Sequence, residues 1–287
     1  MGRVDRAVRL VAVCSDSVEV NLRRLGVSSS ICTQLRKRLG LVYRIAHGEK
    51  KPLRLVDFLD SGCEFYIVLH DEPIAIPRYD FPLNIVYEDE DVAVVDKPCG
   101  LAVIATHGHY GKSLANALAS MWGDFVYRPV NRLDRDTSGL MIIAKNSLAH
   151  SILANSTIVK KYVGLCRGML QGEGVWEFPI ARSEEGMKRI VSPSGQYAKT
   201  AYRALQNYDD CTLVEFQLFT GRTHQIRTHC SYVGHPLVCD RLYGDGRAFL
   251  CPNGKVLDRQ ALHSSYLCFD SPISGERVEL TSKADFE

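Results

Sequence analysis

The stretch Asn131-Arg132-Leu133-Asp134-Arg135-Asp136-Thr137-Ser138-Gly139 runs without a break into the wholly apolar residues 140–144. Five of those first nine side chains are charged or carry an amide. Such a junction predicts a buried strand over 140–144 with the polar cluster held at its edge, because an unpaired buried charge is too costly. Other short apolar runs also read as strands: 83–87 and 92–95 around an acidic turn, then 159–168, 200–208 and 212–220. Helical spacing occurs at Leu114, Ala117, Leu118 and Met121, and again at Leu148, Ile152 and Leu153, where Ser147 can cap. Strands and helices mix without regular βαβ alternation. That predicts an α+β fold, a largely antiparallel mixed sheet flanked by helices and loops.

A stretch of different character precedes this body. Residues 1–60 hold 12 Lys+Arg against 6 Asp+Glu, a local balance of +6. The other 227 residues hold 23 against 27, or −4, which together give the net +2. Ile31, Leu35 and Leu39 share one helical face, with Arg36, Lys37 and Arg38 off it. Ser29 or Ser30 can cap this helix and Gly40 suits its end. Strands are expected at 41–45 and 65–69. The outline resembles a degenerate alpha-L RNA-binding fold, which would give Arg36, Lys37 and Arg38 to RNA. A solvated basic face is the other reading. Pro73, Pro77 and Pro82 mark a linker. The expected organisation is a small basic module over 1–75, a linker over 76–82, and a body over 83–287 that survives removal of the module.

No stretch approaches the ~20 apolar residues of a membrane span. The longest early apolar run, residues 10–14, is shorter than the roughly 7–15 residues of an export signal. None of the ten cysteines forms a Cys-x-x-Cys pair, and no Cys or His spacing suggests a metal site. Reduced thiols, a cytoplasmic protein and no metal are therefore expected. Gly111-Lys112-Ser113 lacks the earlier glycine of a phosphate-binding loop, since position 106 is Thr106.

Three segments carry chemistry. In the first, Arg132 and Arg135 flank Asp134, and nearby positive charge favours an ionised carboxylate, which can act as nucleophile or base. A charged turn is the alternative. In the second, Thr220-Gly221-Arg222-Thr223-His224-Gln225-Ile226-Arg227, Thr223 can cap a helix with Ile226, Cys230 and Val233 on its buried face. Arg227 then opposes the helix dipole and suits a partner carboxylate or phosphate. In the third, strand alternation places Lys160, Tyr162, Gly164 and Cys166 on one face, where a tyrosine beside open space can stack on a base.

In this order, Arg-Leu-Asp-x-x-Thr-Ser-Gly, Lys-x-Tyr and Gly-Arg-Thr-His-Gln-Ile-Arg resemble the RluA family of RNA pseudouridine synthases. Asp96-Lys97-Pro98-Cys99-Gly100, Gly234-His235-Pro236-Leu237-Val238, Leu242-Tyr243-Gly244 and Ala261-Leu262-His263 extend the resemblance over about residues 83–280. It implies the pseudouridine synthase fold and a cofactor-free isomerisation of uridine in structured RNA, ribosomal or transfer, by a monomer. It also implies Asp134 as the catalytic aspartate, Tyr162 stacked on the uracil with a part in proton removal, and Arg227 paired with Asp134. Arg132 would support the displaced RNA, and Arg222 would contact RNA. The family usually has His before Arg-Leu-Asp, whereas this chain has Asn131, which cannot titrate. A non-catalytic RNA-binding protein on the same scaffold, and a glycoside hydrolase using Asp134 and Asp136, are the competing readings.

Overall fold

The computed structural model describes residues 4–37, 41–71, 73–104, 111–184 and 186–287. Arg38, Leu39 and Gly40 lie outside them, and so does the end expected for the basic helix.

The chain opens with strands β1 (Val4–Val11) and β2 (Asp16–Ser17), then helices α1 (Val18–Arg24) and α2 (Ser29–Lys37). Strands β3 (Val42–Ala46), β4 (Glu49–Pro52), β5 (Phe58–Leu59) and β6 (Glu64–Asp71) follow. An antiparallel sheet of order β1-β6-β3-β4 shares a core with the helices through Leu10, Leu22, Ile31, Leu35, Phe65 and Ile67. The Ser28 hydroxyl accepts from Ile31 N–H, so α2 is capped one residue before Ser29.

The body contains β7 (Asn84–Glu88), β8 (Val92–Lys97), α3 (Leu114–Trp122), β9 (Ser138–Ala144), α4 (Ser147–Ala154) and β10 (Val159–Arg167). It continues with β11 (Glu173–Glu177), β12 (Ile180–Arg182), β13 (Arg189–Val191), β14 (Lys199–Asn207), β15 (Cys211–Leu218) and α5 (Gln225–Tyr232). Last come β16 (Phe249–Leu250), β17 (Val256–Leu257), β18 (Leu262–Asp270) and β19 (Arg277–Thr281). A nine-stranded sheet runs β11-β14-β15-β10-β18-β9-β8-β7, with β19 added beside β18. All its pairs are antiparallel except β9 with β18. The expected largely antiparallel α+β architecture is thus the one found. No helix among the described residues is long and apolar enough to cross a membrane.

β9 is buried along its whole length, as its apolar run required. Met141 and Ile143 face the main core with Leu118 and Phe216, while Leu140 and Ile142 face Leu267 and Phe269 behind the sheet. Gly139 permits the parallel pairing. At φ 107 its backbone lies so close to Ser264 that any Cβ would overlap it.

Two sets of contacts bear on the expected organisation. Residues 76–82 are pinned rather than slack: the Asn116 amide donates to Pro77 O at 2.7 Å, and Tyr79 N–H donates to Asn116 O at 3.1 Å. Tyr79 and Phe81 also pack on the main core. Proline there bars regular structure without making the segment loose. The N-terminal unit likewise shares its core with α4, whose Leu148 is fully buried in it. Ser28 N–H donates to Ser151 Oγ at 2.7 Å, and Ser151 Oγ donates to Gly26 O at 3.1 Å.

Candidate active site

The loop between residues 131 and 137 is held from three directions. Leu133 is buried beneath it in the main core. The Lys97 ammonium, wholly buried, donates to the carbonyls of Pro98 (2.8 Å), Leu101 (3.0 Å) and Arg135 (2.9 Å). Burial pulls its pKa down to about 7, yet three carbonyl acceptors use all three ammonium hydrogens and favour the charged form. Gln260 Nε2 donates to Thr137 Oγ1 at 2.9 Å, and Ser138 Oγ meets His263 Nδ1 at 2.9 Å. The Thr-Ser-Gly run is therefore the seam between this loop and β18. Asn131 acts structurally, since its Oδ1 accepts from Ile142 N–H at 2.7 Å and so extends the edge of β9.

This frame presents Asp134 at a cavity of about 650 Å³, lined by Asn131, Arg132, Lys160, Tyr162, Arg222 and His224 among others. That size lies in the ~300–1,000 Å³ range of small-ligand sites. The Asp134 side chain is 26% exposed. Arg227 Nη1 donates to its Oδ2 at 2.8 Å. The expected ion pair is present, and Arg227, not Arg135, supplies it: Arg135 is turned onto Asp136, 2.9 Å away.

Arg227 is itself held from behind. Its Nε and Nη2 donate to the two oxygens of Asp240 at 2.7 and 2.8 Å, and its guanidinium lies 5.0 Å over the Tyr243 ring. Asp240 is fully buried and also accepts from Leu242 N–H (2.9 Å) and Tyr243 N–H (3.1 Å). Burial alone would lower the pKa of Arg227 and raise that of Asp240. Their mutual hydrogen bonds and charge win, holding Arg227 above and Asp240 below its ordinary value. A carboxylate–guanidinium–carboxylate line thus runs from the core to the cavity floor.

The turn before α5 positions this line. The Gln225 amide accepts from Thr220 Oγ1 (2.8 Å) and Arg222 N–H (2.9 Å) and donates to Lys199 O (3.0 Å) and Thr200 Oγ1 (2.9 Å). His224, not Thr223, begins the helix; it is left-handed at φ 57 and makes no side-chain cap. Its Nδ1 meets Tyr243 Oη at 2.9 Å, and its Nε2 lies 3.8 Å from Asp134 Oδ2. Burial pulls His224 below its ordinary value.

Tyr162 lines the cavity but is buried, 5% exposed. Burial pushes its phenol up, so it is neutral at pH 7. It offers a ring face, and removing a proton with it would first require a phenolate. Gly164 does not leave open space beside it: a Cβ there would lie 2.8 Å from Ala261 O, so this glycine serves close packing. Lys160 also lines the cavity, and burial lowers it.

The structure therefore gathers Asp134, Tyr162, Arg132 and Arg222 at the cavity, with Arg227 lining a small recess of about 60 Å³ that shares those four residues with it. Arg132 is exposed, and Arg222 Nε is held by Tyr197 O at 3.0 Å. Arg36 and Lys37 are not among the lining residues. Arg36 pairs with Glu19 at 2.6 Å, and Lys37 is exposed. Arg38 lies outside the described residues. Asp240 was missed from sequence, although an acid directly after the apolar run Leu237-Val238-Cys239 is a signal of a buried partner. His224 lay inside a recognised motif with no role attached.

Residues 91–232 match the family model described as RNA pseudouridylate synthase. The chain is 42% identical over 210 residues to the "Uncharacterized RNA pseudouridine synthase YlyB" of Bacillus subtilis, covering 69% of this chain and 67% of that protein. It is 38% identical over 218 residues to "Ribosomal large subunit pseudouridine synthase D" of Vibrio cholerae, covering 70% and 67%. Among solved structures, human RNA Pseudouridylate Synthase Domain Containing 1 superposes with a TM-score of 0.59 at 26% identity, covering 74% of this chain and 87% of that one. With the Asp134–Arg227 pair at the cavity floor and these relatives spanning most of its length, the chain belongs to the RluA family of RNA pseudouridine synthases, the RNA uridine isomerases.

Proposed function

We propose that this enzyme isomerises a uridine of ribosomal RNA, with Asp134 as the reacting carboxylate. The observation that carries the reading is Asp134 itself: a carboxylate at a cavity floor, fixed at one oxygen by a buried arginine and free at the other. A stacked uridine must first leave the helix, at a cost of a few kcal/mol. Tyr162 offers its ring to the extruded base, and Arg132, exposed at the rim, takes the place of the missing base or its phosphate. The N1–C1′ bond then breaks with its electron pair on N1, the uracil turns, and C5 bonds to C1′. N1 gains a proton, C5 loses one, and the composition of the nucleotide is unchanged. Attack at C1′ and removal of the C2′ proton both require an ionised carboxylate at this position. No step calls for a cofactor.

The N-terminal unit supplies phosphate contacts in this reading. Part of its exposed charge lies on the β3–β4 hairpin, where Arg44 stands directly opposite Lys51, with Lys50 opposite Ile45 and Glu49 opposite Ala46. Like charges in register repel, and a polyanion relieves that cost. Glu19 meanwhile neutralises part of the charge on α1 and α2 through Arg23 and Arg36. We place the protein in the cytoplasm, whose reducing conditions suit its ten free thiols, and treat it as a monomer. Mapping pseudouridines in ribosomal and transfer RNA from cells with and without the protein tests the substrate. Loss of a site in ribosomal RNA supports the reading, and a loss confined to transfer RNA overturns it.

A further inference from the structure

His224 makes contacts that the chemistry above does not use. It sits in a left-handed conformation rare for a residue with a Cβ, and such strain gathers at functional sites. Tyr243 Oη accepts from Arg189 N–H at 2.7 Å and has the Thr228 hydroxyl beside it as a second donor, which takes up its lone pairs and turns its own proton to His224 Nδ1, 2.9 Å away. The Asp134 carboxylate on the other side favours a proton on Nε2. The hydrogen-bond network therefore assigns the neutral tautomer that carries its proton on Nε2. That N–H and Asp134 Oδ2 face each other at 3.8 Å, too far for a hydrogen bond between them.

The gap defines what can fill it. One oxygen within hydrogen-bond reach of both, at roughly 2.8–3.0 Å, must accept from Nε2–H and donate to Oδ2. Of the oxygens an RNA chain brings, only a hydroxyl's does both; a water molecule also does, and equal binding of hairpins with and without that hydroxyl would give it the place. A uracil carbonyl accepts without donating, and would meet the carboxylate lone pairs head on; a phosphate oxygen would do the same with added charge. Within an RNA chain the 3′ and 5′ oxygens are esterified and the ring oxygen has no hydrogen. The ribose 2′-hydroxyl remains, one carbon from C1′, where Asp134 must act.

We propose that His224, with Asp134 Oδ2, binds the 2′-hydroxyl of the target uridine, and that this contact lets the enzyme tell RNA from DNA at the reacting nucleotide. The assignment rests on the reading of Asp134 as the reacting carboxylate. It divides the work between the two Asp134 oxygens, with Oδ2 held by Arg227 and the hydroxyl, and Oδ1 free toward C1′. Tyr243 is a positioning residue that acts by fixing the His224 tautomer. The 2′-hydroxyl is the group that distinguishes the two nucleic acids at any one site.

The test is a cycle of two proteins and two probes. The probes are a synthetic large-subunit ribosomal RNA hairpin carrying the mapped target uridine, and the same hairpin with 2′-deoxyuridine there. Wild type is expected to bind the deoxy hairpin about tenfold more weakly, as for a buried hydrogen bond to a charged pair. His224→Phe is expected to lose several-fold on the ribo hairpin and to discriminate only about threefold between the probes, since Asp134 Oδ2 alone still accepts from the hydroxyl. His224→Gln, which retains an N–H donor, is expected to recover part of the discrimination. It also serves as the second protein should the Phe variant not fold. A His224 variant that folds, lacks the donor and still discriminates as wild type does would overturn the assignment. Tritium release by wild type from the ribo hairpin reports separately on the underlying reading. If that succeeds while the cycle is additive, the role of His224 alone is wrong.

Discussion

Replacing Asp240 tests the physical argument for the site without touching the cavity. Asp240 is fully buried and takes four N–H donors, two from Arg227 and two from the backbone of Leu242 and Tyr243. Asp240→Asn keeps an oxygen for the backbone donors but leaves Arg227, itself only 7% exposed, with Asp134 as its one carboxylate. Breaking a buried pair from one side costs about 3–5 kcal/mol, because the remaining charge stays desolvated. Against a typical stability of ~5–15 kcal/mol that is a large fraction. Asp134→Asn keeps an amide oxygen for Arg227 and weakens that one bond by removing the charge at the solvent side, while Asp240 still neutralises the guanidinium. Its cost should be about 1 kcal/mol, that of an ordinary hydrogen bond. Urea unfolding followed by fluorescence measures both, with the midpoint and slope read together. The two variants should therefore differ by at least about 2 kcal/mol. If Asp240→Asn proves no more destabilising than Asp134→Asn, the claim that Arg227 is anchored from behind is wrong.

Three further outcomes follow from the packing and the buried groups. Gly139→Ala forces a Cβ into the Ser264 backbone at a positive φ, and should cost at least about 3 kcal/mol or prevent folding, as read from soluble yield and thermal melting. Deleting residues 1–75 uncovers Leu148, a side chain worth about 1.5–3 kcal/mol when buried, so the melting temperature of the remainder should fall; an unchanged value would mean the interface contributes nothing. Burial lowers the pKa of His224, His229 and His263 from their ordinary 6.5. The unfolded chain therefore binds more protons than the folded one just below pH 6.5, and stability should decline as pH falls from about 7 toward about 5; a flat denaturation midpoint over that window would contradict it. The depressed carboxylates Asp89, Asp240 and Asp285 do not account for a loss in that window, since each holds its charge to below its ordinary 3.8.

Much of the body could be read from sequence because its strands are short apolar runs between polar turns, and burial of 140–144 follows from hydropathy alone. Asp134, Tyr162 and Arg227 were found by motif, and one physical clue stood behind Arg227: a cation early in a helix needs an external partner. The N-terminal strand β1 was missed because its buried Val8 and Leu10 lie in a stretch that carries Arg6 and Arg9 and so reads as basic rather than as half-buried. The anchoring of residues 76–82 was not legible, since proline content reports on backbone hydrogen bonding and says nothing of the aromatic contacts of Tyr79 and Phe81. Asp240 and His224 escaped because their meaning is relational. A buried carboxylate is explained only by the guanidinium that the fold brings to it across 13 residues, and an imidazole by the hydroxyl and carboxylate on its two sides.

The central claim is that Asp134 performs the chemistry while Arg227 and the surrounding frame only hold it. Asp134→Asn preserves the shape of the side chain and an acceptor for Arg227, and removes the charge. Tritium release from RNA labelled at uridine C5 reads the isomerisation directly, and filter binding of the same RNA reads the complex. The account predicts release reduced by at least about 10³-fold, as for loss of a group that acts as nucleophile or base, with RNA affinity within a few-fold of wild type. Release within about tenfold of wild type by the folded variant would contradict it.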